Sequence, residues 1–174
     1  MKFYNSLVYN CIIRKLINIE FYRKYRRMIL TEILPHDAPM ILIDDLVDIS
    51  LENKSIIAKV TIKNDMIFFD KKLQGVSALC GIEFMAQTIG CYAYYKNKKQ
   101  EPQIGFLLGT RLYNNGIDIF KLGETYIIKA YEIFGDDGII SFECSIYDSQ
   151  NEECASATLN VYQNANAKGI IENG

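Results

Sequence analysis

The stretch Val76–Tyr95, VSALCGIEFMAQTIGCYAYY, decides the fold. It is apolar on nearly every face and long enough for about five helical turns. A helix apolar all round has to be wrapped, by protein or by lipid. Glu83, Gln87, Gly81 and Gly90 within it argue against a membrane span. The sequence on either side reads as strands, so the expectation is a central helix enclosed by a curved sheet. Glu83 is the one acid of this helix, and no base follows it before Lys96. A carboxyl in such a setting needs a partner or stays protonated.

Upstream, Met40–Ser50 (MILIDDLVDIS) predicts a strand with a bulge near Asp44 and Asp45, and Ser55–Lys63 (SIIAKVTIK) predicts a second. Met28–Ile33 reads as one helical turn, ended by Leu34-Pro35-His36, because a residue before proline avoids the helical region. Downstream, a polar connector (KNKKQEP, 96–102) leads to four strands: Gln103–Tyr113, Glu124–Phe134, Ile139–Ser149 and Cys154–Tyr162. Gly135-Asp136-Asp137-Gly138 is a hairpin turn by composition. Hairpin-linked strands after one long helix imply an α+β fold, one antiparallel sheet of about six strands wrapped around that helix.

The two ends differ from the middle. Residues 1–27 hold seven bases against the single acid Glu20, with apolar residues interleaved, and show no signal-peptide pattern. They read as a basic amphipathic leader able to contact a membrane surface or a partner, or as sequence upstream of a natural start at Met28. Residues 28–163 form the folded domain, and 164–174 read as a polar tail. The whole chain carries a formal charge of −2, which gives no argument for nucleic acid. Without the leader the charge is about −8, since seven bases and one acid are removed. None of the five cysteines forms a CxxC pair, and the single histidine, His36, is remote from all of them, so metal-ligand spacing is absent. Buried reduced thiols and a cytoplasmic location are the expectation.

Two stretches carry a resemblance. Leu34-Pro35-His36-Asp37-Ala38-Pro39-Met40-Ile41-Leu42-Ile43-Asp44 resembles the LPH-x-x-P-[apolar]4-D segment of hot-dog fold 3-hydroxyacyl-[acyl carrier protein] dehydratases. Glu83-Phe84-Met85-Ala86-Gln87, 47 residues after His36, resembles the E-A-M-A-Q segment on their central helix. With Gly81 and Ile82 in front, the run is similar to G-I-E-x-M-A-Q of the small dehydratases of aryl-polyene-type polyketide clusters. The chain departs from the fatty-acid enzymes before the helix, where MIFFDKKLQG replaces their proline-rich histidine loop. Ala78 stands where those enzymes have a glycine that helps bind the thioester carbonyl, and Gly75 is the nearest upstream glycine. Asp37 and Asp45 stand where arginines are common.

The resemblance implies β-elimination of water from a 3-hydroxyacyl thioester, with His36 as the base and Glu83 as the acid. A histidine titrates near neutrality and can take and return a proton. A desolvated glutamate can stay neutral and donate one. Backbone N–H groups near Ala78 and Leu79 would bind the carbonyl oxygen, with Gly75 and Gln87 as further substrate-side residues. The resemblance also implies a homodimer or higher oligomer with a joined sheet, its histidine and acid meeting across the interface. No metal or redox cofactor is called for; the substrate would arrive on the phosphopantetheine of an acyl carrier protein. Lys96, Lys98, Lys99, Arg111 and Lys121 offer positive charge for docking it. Phe84, Met85, Tyr92, Tyr94 and Tyr95 are candidates for an acyl tunnel or for ordinary core. Glu83 hydrogen-bonding Gln87 one turn on, merely to fix the helix, is the blander alternative. A hot-dog acyl thioesterase and a non-catalytic hot-dog partner subunit are the rival functions.

Overall fold

A computed structural model describes residues 30–98, 102 and 105–163. The leader, the tail and Lys99 lie outside the described residues. The elements run β1 (Asp45–Ser50), β2 (Ser55–Thr61), β3 (Phe69–Asp70), β4 (Gly75–Ser77), a 3-10 turn (Ala78–Cys80), α1 (Gly81–Lys96), β5 (Gly105–Asn115), β6 (Ile119–Lys121), β7 (Thr125–Asp136), β8 (Ile139–Tyr147) and β9 (Glu153–Gln163). Six strands form an antiparallel sheet in the order β1-β2-β7-β8-β9-β5, and β3-β4-β6 form a second, small one. The large sheet was expected; the small one was not, because its strands are two or three residues long and too short to show a period.

Strict alternation sets which face meets the helix. Ile56, Ala58 and Val60 of β2, Tyr126, Ile128 and Ala130 of β7, and Phe142, Cys144 and Ile146 of β8 are all buried. They close over Phe84, Met85, Ile89, Cys91 and Tyr92 of α1. Three side chains form an aromatic stack, with Phe120 lying 5.3 Å from Phe84 and 4.9 Å from Tyr126 between ring centres. The far end of α1 is fixed by a buried carboxylate: Glu132 of β7 accepts from Lys96 at 2.6 Å and lies 4.0 Å from Lys54. The β7–β8 hairpin turns on Asp137 and Gly138, both at positive φ, as a two-residue turn matched to strand twist requires.

Two expected boundaries move, for one kind of reason. The helix begins at Gly81, not Val76, because Gly75–Ser77 pairs with β6 and Ser77 then caps the 3-10 turn. The first sheet strand begins at Asp45, not Met40, because the backbone at 42–43 turns to a glutamine side chain instead of a neighbouring strand. The bulge falls between Leu46 and Asp48, two residues later than expected. In each case a tertiary bond overrides the local apolar pattern. Among the described residues no helix is long and apolar enough to cross a membrane.

Candidate active site

His36 lies in the loop between a helical turn at 30–33 and β1, and that loop is held at both ends. Leu30, Ile33 and Leu34 are buried before it, and Leu34 N–H donates to Leu30 O at 2.8 Å. The Leu34 side chain fills the space beside Gly90, where an added Cβ would come within 3.0 Å of it. The space at Gly90 is therefore a packing notch for the histidine loop. After His36, Met40 N–H closes a turn onto Asp37 O at 2.8 Å.

The next segment is tied to α1 by Gln87, which is 1% exposed. Its Oε1 accepts from Leu42 N–H at 2.9 Å, and its Nε2 donates to Met40 O at 2.7 Å. These two bonds fix which end of the amide is which. The same Nε2 donates to Glu83 Oε1 at 2.8 Å. Gln87 was expected on the substrate side. The structure instead satisfies its polar atoms with protein, so it works as a clamp between helix and histidine loop.

His36 and Glu83 then face each other, with Nε2 3.8 Å from Oε1. Both belong to the same chain, so the protomer alone brings them together, whereas the resemblance implied a meeting across an interface. Their side chains are 36% and 35% exposed, so the gap between them opens outward and the desolvation expected around Glu83 is only partial in the protomer. His36 Nδ1 is buried and meets no hydrogen-bonding group among the described residues, which leaves Nε2 as the nitrogen presented to the gap. Glu83 sits in the first turn of α1.

The amides proposed for the carbonyl separate into two kinds. Ala78 N–H donates to Asp118 O at 2.9 Å and is already occupied. Among the described residues Leu79 N–H reaches only the Ser77 hydroxyl, at a long 3.4 Å, on a residue that is 66% exposed and four positions before Glu83. Gly75 serves packing: an added Cβ would overlap the Ile119 side chain and the Phe120 carbonyl. Phe84, Met85 and Tyr92 are core. Of the bases named for docking, Lys96 is held by Glu132, while Arg111 and Lys121 are exposed on β5 and β6. Two contributors were missed. Ser77 had a readable signal, a serine just before an apolar helix. Tyr113, whose hydroxyl donates to Ala78 O, had none.

Residues 28–172 match the family model for ApeP-like proteins, described as ApeP dehydratase. The chain belongs to the ApeP-like dehydratase family. It is a hot-dog dehydratase of the aryl-polyene type. Among solved structures it is similar to the dehydratase heterocomplex ApeI:P from Xenorhabdus doucetiae, at 26% identity and a TM-score of 0.73, covering 83% of this chain and 97% of that one. The putative thioesterase yhdA from Lactococcus lactis (11% identity, TM-score 0.59, 74% and 97% covered) shares the fold. So does the E. coli PaaI protein (7%, 0.54, 70% and 79%). No curated protein matches the chain. The family membership accounts for the G-I-E-x-M-A-Q run lying on the helix that faces the LPH histidine.

Proposed function

We propose that this dehydratase acts on 3-hydroxyacyl thioesters carried by an acyl carrier protein and releases trans-2-enoyl thioesters and water. The observation that carries the reading is the 3.8 Å approach of His36 Nε2 to Glu83 Oε1 in an accessible gap. His36 Nε2 removes a proton from C2, acidified by the thioester carbonyl. The electron pair forms the C2–C3 double bond, the C3–O bond breaks, and Glu83 protonates the departing hydroxyl. The protonated imidazole then returns its proton to Glu83 through the released water, restoring both groups. Leu79 N–H holds the carbonyl oxygen as negative charge develops there. This chemistry runs on proton transfer alone and calls on no metal or redox cofactor.

The chain works in the cytoplasm, beside a second hot-dog subunit. Edge strand β5 supports the second subunit: Phe106, Leu107, Leu108 and Leu112 are exposed along it, and its outer backbone edge has no neighbouring strand among the described residues. The similar assembly from Xenorhabdus doucetiae is a heterocomplex, which favours an unlike partner. The test is enoyl formation on carrier-bound 3-hydroxyacyl chains, by the protein alone and with the unlike subunit. Wild type turns over, and His36→Ala and Glu83→Gln each lose at least about a hundredfold, as expected for a positioned acid or base. Turnover unaffected by both substitutions assigns the chain to a non-catalytic partner role. Free thiol from a saturated acyl thioester assigns it to hydrolysis.

A further inference from the structure

Tyr113 lies on β5, where the strand leaves its regular path. The pairing of β5 with β9 steps from Arg111–Thr158 to Asn114–Ser156, so β5 carries one extra residue there. Leu112, at φ 53, has the left-handed conformation that L side chains rarely adopt, and its side chain is 82% exposed. A bulge of this kind re-aims the neighbouring side chain, and such features concentrate near functional sites. Here it turns Tyr113 inward. The hydroxyl donates to Ala78 O, and a Cβ at residue 81 would come within 2.5 Å of that hydroxyl, so Tyr113 in this position needs a glycine at 81. Burial, and then the nearby Cys80, push the Tyr113 phenol up to about 12, so it remains a proton donor at any working pH.

The acceptor of that bond matters chemically. Ala78 C=O and Leu79 N–H are the two ends of one peptide group. Ala78 O receives both the Tyr113 hydroxyl and the Gly81 N–H. Hydrogen bonds to a carbonyl draw electron density through the amide and strengthen its N–H as a donor. The geometry points to Tyr113 as a positioning residue for the dehydration: through the Ala78–Leu79 peptide it orients and polarises the N–H that holds the thioester oxygen. This rests on the assignment of His36 and Glu83 as the dehydrating pair.

The test is Tyr113→Phe in the full chain, which keeps the ring packing and removes the hydroxyl. The expected result is a kcat lower by about tenfold, with KM and Tm close to wild type and a ratio to wild type that is flat from pH 6 to 9. An unchanged kcat, or a loss matched by a loss in Tm, overturns the proposal. The second measurement does not depend on turnover. In His36→Ala protein labelled with 15N-leucine, an added 2-enoyl pantetheine thioester shifts the Leu79 amide proton downfield, and adding Tyr113→Phe reduces that shift. A shift of equal size with and without the tyrosine hydroxyl overturns the role of Tyr113. Wild type that makes no enoyl product overturns the dehydratase assignment instead, and the Leu79 shift still decides on Tyr113.

Discussion

Gln87→Leu separates a clamp from a substrate ligand. The substitution keeps volume and helix propensity but removes four hydrogen bonds: Leu42 N–H and, at a longer 3.4 Å, Ile43 N–H to Oε1, and Nε2 to Met40 O and to Glu83 Oε1. Leu42 is 4% exposed, so its N–H is left unsatisfied in the interior, at a cost of about 1–3 kcal/mol. Met40 is half-buried and its carbonyl can turn toward water, which adds roughly 1 kcal/mol. Together these come to about 2–4 kcal/mol, and Tm falls by roughly 5–15 °C for a chain of this size. Turnover measured well below the new Tm falls as well, because the same clamp sets the His36 loop and one oxygen of Glu83. The assays are thermal unfolding and enoyl formation on one preparation. A Tm unchanged within about a degree, with turnover lost, refutes the clamp and makes Gln87 a substrate contact.

Cys91 and Cys144 are both pushed up to about 12 by burial, from 9.0 in the open chain. Between those values the unfolded chain loses protons that the folded one keeps, so stability present below pH 9 falls as pH rises toward 12, by about 1.4 kcal/mol per unit for each thiol; urea midpoints at pH 8 to 10.5 for wild type and Cys91→Ala check this, with a shallower fall in the variant. Because His36 and Glu83 come from one chain, mixing unfolded His36→Ala with Glu83→Gln and refolding them together restores no activity; recovery toward wild type would place the working pair across an interface.

The large elements were legible because they obey simple periods. The strict alternation of β2, β7 and β8, and the unbroken apolar run of α1, follow from how much of each must be buried. The candidate pair was legible for a different reason: a lone histidine in an LPH context and a lone acid in an apolar helix both stand out from their surroundings. What stayed hidden is whatever depends on contacts between distant segments. Ala78 N–H looked free because nothing in the sequence announces Asp118 forty residues later. Gly75 looked like a substrate-side residue, and it gives room to β6 instead, as Gly90 does to Leu34.

The approach of His36 to Glu83 within one chain follows from how the histidine loop is held against α1. The segment before α1 forms β3 and β4, pairs with β6 and carries no histidine, so His36 is the histidine available to the proposed reaction. The placement of its LPH segment depends on Gln87, because 40–43 is held to the helix by that side chain and not by a strand ladder. A glutamine four residues after Glu83 lies on the same face of the helix. One amide can therefore reach the acid with its N–H while both its ends grip the backbone that follows the base. The E-x-x-x-Q spacing and the LPH segment are thus two halves of one device, and neither half brings His36 and Glu83 together without the other.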